Sequence, residues 1–175
     1  MEVILRFRNS MMVRNFFLYQ KTITPAIHEE WYRSEVLTGK AIQYMILSKE
    51  KEPLGVCYIS RIDKENHSGE WGIYLGERKA YGSGIAREAA FLLLRYAFQE
   101  LGFHKIRMRA LAENERSIKY HASVGFEREG YLKDEVYIDD CFKDVVIGGV
   151  TAEKWLAFYQ EKRMAERASR TEDGK

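Results

Sequence analysis

The chain has 175 residues, with 28 Lys and Arg against 26 Asp and Glu, a formal net charge of +2. That balance argues against nucleic acid or an anionic membrane surface as a partner, and no apolar run approaches the roughly 20 residues of a membrane span. The length fits one domain, large enough to bury roughly 70% of its unfolded surface without disulfide or metal staples.

Taken in chain order, VILRF (Val3–Phe7) reads as a first strand. SMMVRNFFLY and TPAIHEEWYRSEVL read as two helices, the second with Thr24 as cap and Pro25 at its first position. IQYMILSKEKEPLGVCYISRID reads as a hairpin whose charged turn holds Pro53 and Gly55. GEWGIYLGE is a further strand; alternation puts Glu70, Gly72 and Tyr74 on one face and Trp71, Ile73 and Leu75 on the other. A glycine loop follows, then a helix with Ile85, Ala89, Leu92, Leu93 and Ala97 as its apolar stripe and Gly102 as its stop. KIRMRAL alternates as a strand, NERSIKYHASVG is a short helix closed by Gly125, and VYIDDCFKDVVIGGV is a hairpin about Asp139 and Asp140. AEKWLAFYQEKRMAERA is a last helix, with SRTEDGK as its frayed end.

This order predicts an α/β fold: one mixed sheet of six to seven strands with helices on both faces. The domain is expected to span residues 1–160, with 161–175 as a charged tail that extends the last helix or lacks structure. Cys57 and Cys141 sit in apolar strand-like runs and make no CxxC, which fits a reduced, cytoplasmic setting. The start MEVILRFRNS lacks the layout of a secretory leader. His28, His67, His104 and His121 show no metal spacing, so packing or surface roles are expected for them and no metal.

The loop Lys79-Ala80-Tyr81-Gly82-Ser83-Gly84-Ile85-Ala86 carries the first chemical signal. Arg87 stands where a dinucleotide fingerprint needs its third glycine, and no G-K-[ST] follows a four-residue spacer as a Walker loop requires. What remains is Arg78 and Lys79, then two glycines running into a helix. Small residues let a ligand approach the backbone, and the unpaired first-turn N–H groups and helix dipole suit a pyrophosphate. A simple turn explains the glycines equally well when the loop is taken alone.

The wider context decides. The strand, the Lys79–Ala86 loop, the long helix, the next strand and the segment NERSIKYHASVGF (Asn114–Phe126) together resemble the GNAT superfamily of acetyl-CoA-dependent N-acetyltransferases. The resemblance runs from Val3 to about Val150. It departs at Lys79, where the family usually has Gln or Arg; the charge is kept and the planar fork is lost. Within the superfamily, RFRNSMMVRNFFLYQKTIT, His28 to Trp31 and the closing hairpin resemble one branch. That branch holds ribosomal-protein N-terminal acetyltransferases and the sugar-nucleotide N-acetyltransferase of pseudaminic acid biosynthesis. The Arg8-Asn9 start and its aromatic run lean toward the sugar enzyme, although Phe7 replaces a common tryptophan.

The resemblance implies acetyl-CoA as co-substrate, held by Lys79 to Ala86, by the strand Ile73-Tyr74-Leu75 and by Asn114, which is also a good helix cap. It implies direct attack by a primary amine, with a backbone N–H of that strand on the acetyl oxygen. Glu70, on the face of Tyr74, is the candidate base, against the plainer reading of an edge charge. Tyr120 lies about 200° round its helix from Ile118, away from an Ile118 and Ala122 face expected to pack inward. The family places a proton donor for the departing thiolate there; the plainer reading is an amphipathic surface tyrosine. The expected partner is a small amine, with a nucleotide amino sugar first and a ribosomal-protein N-terminus second. Neither nucleic acid nor membrane is expected, and a homodimer is allowed. A non-catalytic acyl-CoA-binding module is the competing class, and the pair Glu70 and Tyr120 speaks against it.

Overall fold

Glu2–Asn9 form helix α1, not a strand, in the computed structural model, which describes residues 1–172, with side chains through residue 165. The five apolar-rich residues look like a strand, but Val3, Ile4 and Phe7 also fit one helical stripe, and that stripe faces the sheet. Glu2 lies in the first turn and Arg6 and Arg8 in the last, as the helix dipole favours. Phe7 is 2% exposed and lies on Gly76, where a Cβ would come within 2.0 Å of its ring.

The second expected helix is cut to one turn, α2 (Met11–Arg14), followed by irregular chain. The Asn9 side chain clamps that chain by donating to the Ile23 carbonyl and accepting from the Ile23 N–H, both at 2.8 Å. Helix α3 (Pro25–Trp31) starts as expected, with Thr24 Oγ1 accepting from the Ile27 N–H, and continues as a wider turn over Tyr32–Val36.

Six strands make one sheet: β1 (Ile42–Leu47), β2 (Pro53–Asp63), β3 (Ser68–Leu75), β4 (Lys105–Leu111), β5 (Glu127–Ile138) and β6 (Cys141–Thr151). Their spatial order is β1-β2-β3-β4-β6-β5. Pairs are antiparallel except β3 with β4, which is parallel. Asp139 and Asp140, with φ of 49° and 59°, make the left-handed two-residue turn of the last hairpin. That hairpin begins earlier than VYIDD suggests, because β5 starts at Glu127.

Helices α4 (Ile85–Gln99), α5 (Glu115–Ser123) and α6 (Ala152–Glu172) complete the fold. One sheet face carries Trp71, Ile59 and Cys57 under α4 and Trp155 of α6; the other carries Val56 and Tyr74 under α1. The expected α4 stripe needs one correction. Leu92 is 55% exposed, and the buried side is Ala90, Leu93, Leu94, Ala97 and Phe98. In α5 the expected inward residue Ala122 is exposed, and His121 and Val124 are buried instead. Helix α6 is described to Glu172, so most of the expected frayed end continues the helix; Asp173 to Lys175 lie outside the described residues.

Gly76→Ala should lower the unfolding free energy by about 1–3 kcal/mol, since the Phe7 ring has to move in a packed site. Guanidinium denaturation checks this, and an unchanged midpoint would show that Phe7 yields freely.

Candidate active site

Strands β3 and β4 pair only from Ser68 to Glu70, opposite Lys105 to Arg107. Beyond that point β4 follows β6 to Leu111 and β3 follows β2 to Leu75. The two strands therefore part, leaving Trp71 to Leu75 with a partner on one side only. Backbone groups on the open side need a partner from elsewhere. A cleft of about 600 Å³ fills the gap, lined from both sheet faces by Glu70 to Leu75, Tyr58, Ala110, Asn114, Tyr120 and others.

The glycine loop closes one end of this cleft. Arg78–Ala80 make a single 3₁₀ turn, and the Ser83 hydroxyl donates to the Ala80 carbonyl at 2.8 Å. Gly82 and Gly84 have φ of 73° and 84°, and nothing lies within 4 Å of a Cβ built on either. Gly84 is the α4 N-cap and offers no side chain to the first-turn amides. The Ile85 N–H reaches the Ser83 hydroxyl at 3.4 Å, and the loop beside this helix start opens onto empty space, as an anion site requires.

The other loop residues divide. The Tyr81 hydroxyl donates to the Leu75 carbonyl at 3.1 Å, and Ala80 is buried. Lys79 is turned away: it pairs with Glu52, which also raises its pKa, and it lines a separate groove beside α4. Lys79, expected as a phosphate contact, thus faces a neighbouring carboxylate. Arg116, exposed on α5, instead lies over the rings of Tyr81 and Phe16 at the cleft mouth.

Asn114 is 8% exposed, lines the cleft, and caps α5 by accepting from the Ser117 N–H at 3.1 Å. Tyr120 reaches across to α4 and donates its hydroxyl proton to the Ala86 carbonyl at 2.8 Å. Burial, with the Cys57 sulfur a lesser cause, pushes this phenol well above its ordinary range. Tyr120 is therefore a neutral donor at any physiological pH. Beside it sits His121, a cleft residue that spacing alone placed with the packing histidines. Burial holds its imidazole down at about 4.

At the other mouth Glu70 is 20% exposed, and its carboxylate lies 3.7 Å from the Arg61 guanidinium. Tyr58 lies across Gly72, where a Cβ would meet its ring at 2.2 Å, and burial raises its phenol to about 12. Phe17 packs edge-on against Tyr74 at 5.5 Å and carries the Arg8 guanidinium on its ring at 3.7 Å. Arg109 is paired with Glu135 at 2.9 Å. The sequence reading missed Tyr58 and Arg109; the small residue opposite Tyr58, Gly72, was the signal available for the first. Among the described residues no group of His, Cys, Asp and Glu could hold a metal ion, and no helix is long and apolar enough to cross a membrane.

Acid should unfold this arrangement through its imidazoles. His121 has a folded pKa near 4 against an ordinary 6.5, and burial lowers His28 in the same direction. Their neutral forms stabilise fully above pH 6.5, and that contribution is lost as pH falls toward and through 4. Between pH 6.5 and 4, His121→Gln should lose about 5 °C less melting temperature than the wild type. Equal losses by calorimetry would show that His121 is not held neutral.

Comparison with known proteins follows the same geometry. Residues 1–127 match the model of the acetyltransferase (GNAT) domain. The chain is 39% identical over 99 residues to an uncharacterized N-acetyltransferase p20 of Bacillus licheniformis, covering 56% of this chain and 55% of that protein. It is 34% identical over 107 residues to the ribosomal protein uS5-alanine N-acetyltransferase of Escherichia coli, covering 61% and 55%. The chain thus spans about half the length of these curated relatives. The spermidine N-acetyltransferase of Vibrio cholerae, solved with CoA and spermine, superposes with a TM-score of 0.80 at 23% identity, covering 89% of this chain and 91% of that one. With the parted strands, the glycine-led helix and a family match over most of the chain, the protein belongs to the acetyltransferase (GNAT) family.

Proposed function

We propose that this protein is an acetyl-CoA-dependent N-acetyltransferase acting on a primary amine. The observation that carries the reading is the parting of β3 from β4 beneath a helix whose first turn is left uncapped by Gly84. The amides of the Gly82–Gly84 loop and of Ile85 and Ala86 at the start of α4 take the pyrophosphate, and Arg116 adds charge beside them. The free edge of Ile73, Tyr74 and Leu75 pairs with the pantetheine amides, as a missing strand would. One of its N–H groups donates to the acetyl oxygen as negative charge develops there. Asn114 faces the same arm.

The amine enters from the face of Glu70 and Tyr74. Glu70, through water, takes the proton from the ammonium, since only the neutral amine has a lone pair. Tyr120 turns its hydroxyl from Ala86 to the sulfur and stabilises the developing thiolate by a hydrogen bond. The raised pKa keeps that proton on the phenol, so the tyrosine acts as a donor without full transfer.

The acceptor is an amine on a nucleotide-linked amino sugar. Its mouth has an aromatic wall of Phe16, Phe17, Tyr19 and Tyr58, suited to ring stacking, and Arg116 over the Phe16 ring, while Arg61 and Arg109 pair with Glu70 and Glu135. A polycationic amine would want the opposite charge. The second reading is the N-terminal amine of a protein, favoured by the 34% identity to the uS5-alanine N-acetyltransferase.

Gly84→Val should weaken acetyl-CoA binding at least tenfold in calorimetry, by filling ligand space and by forcing a branched residue to a φ of 84°. Unchanged affinity would remove the loop from the site. Tyr120→Phe should lower kcat about 10²-fold with acetyl-CoA affinity kept; wild-type turnover would take the hydroxyl out of the reaction. Three acceptors should be set against one preparation: a nucleotide-linked 4-amino sugar, an Ala-initiated peptide and spermidine. A hundredfold preference in kcat/KM for the sugar, about 2.7 kcal/mol, supports the first reading. Peptide acetylation without sugar turnover moves the acceptor to the second.

A further inference from the structure

His121 sits one turn along α5 from Ser117 and is 5% exposed. Its Nδ1 lies 2.7 Å from the Ser117 carbonyl oxygen. A carbonyl oxygen only accepts, so Nδ1 carries the ring proton and donates it there. The Ser117 hydroxyl lies 3.3 Å from the same nitrogen. The tautomer is thereby chosen, and Nε2 is left as a bare acceptor. None of the described residues donates to Nε2. Tyr120 and Phe126 meet the ring edge-on, at 5.4 and 5.5 Å between centroids, and hold its plane. The ring lines the cleft. Nε2 is thus an unpaired acceptor on a ring that lines the cleft, and a donor on the bound substrates is its natural partner.

We propose that His121 carries a proton from the attacking amine to the departing sulfur, a role that rests on the acetyltransferase reading above. Two protons leave the ammonium in all. The first goes through Glu70 and water before attack. The nitrogen lone pair then forms a C–N bond to the thioester carbon, and the carbonyl π pair moves to oxygen. The nitrogen now bears positive charge, and one of its protons passes to Nε2. The oxygen pair re-forms the C=O bond, the C–S bond breaks, and its electrons leave on sulfur. Nε2 returns its proton to that sulfur. The products are an amide and a free thiol, and His121 regains its starting tautomer with no further reactant.

Environment suits the task. Burial lowers the imidazole to about 4, so taking a proton from the charged nitrogen is uphill, and its downhill release to a thiolate, whose thiol sits near 8.5, draws that step forward. Burial has the opposite effect on the phenol of Tyr120, which keeps its proton and only hydrogen-bonds. One neighbour steadies the charge on sulfur; the other removes it.

Thiol release from acetyl-CoA by the full chain, with an accepted amine, tests the relay. His121→Ala should lower kcat roughly 10²- to 10³-fold, with calorimetric affinity for acetyl-CoA kept within about threefold. Free imidazole, which refills the void and carries protons, should restore at least tenfold of that loss. His121→Gln fills the site without carrying a proton and should stay as slow as the alanine variant. A Gln variant within about threefold of wild-type kcat overturns the relay while the acetyltransferase reading stands. So does an alanine variant that no imidazole rescues and whose lost turnover follows lost acetyl-CoA binding. A wild-type chain that releases no thiol with any amine overturns both.

Discussion

The structure depends on one broken ladder. Strands β3 and β4 share three residue pairs and then separate, although the sheet continues on both sides. An open edge inside a sheet leaves backbone donors and acceptors without partners, a cost that folds normally avoid. Here the edge is kept open because the strands are held apart by different neighbours. Strand β3 stays with β2 to Leu75, and β4 stays with β6 to Leu111. A ligand with its own amides fits such a gap as a strand would, and this is the physical basis of the site.

What surrounds the gap follows from it. Both α4 and α5 begin near the wide end, one led by Gly84 and the other capped by Asn114. Helix α1 guards the other face by seating Phe7 on Gly76, and Arg6 reaches Glu77 at 2.9 Å. Gly72 of β3 and Gly76 just beyond it thus serve the same face: Gly76 accepts Phe7, and Gly72 accepts the Tyr58 ring. A larger residue at Gly72 would displace the Tyr58 ring that lines the cleft.

Burial sets the chemistry of adjacent side chains in opposite directions. Desolvation disfavours whichever form is charged. It therefore keeps Tyr120 protonated and His121 neutral on successive residues of one helix. Lys79 shows the reverse case. It is exposed and finds Glu52 within reach, which raises its pKa instead.

Local pattern was enough for the strands from Ile42 onward, the caps Thr24 and Asn114, the turn at Asp139 and Asp140, and the glycine loop, because each rests on short-range sterics or hydrogen bonds. It was not enough for Val3 to Phe7, whose apolar run satisfies two periods at once; packing on Gly76 selects the helix. Nor could it orient α5, where one residue of rotation exchanges Ala122 for His121 on the buried side. The chain by itself determined a mixed sheet, the element order from Thr24 onward and a glycine-led helix start. Tertiary structure decided where β3 leaves β4, where Lys79 turns and which histidine lines the cleft, since each depends on contacts between residues far apart in sequence.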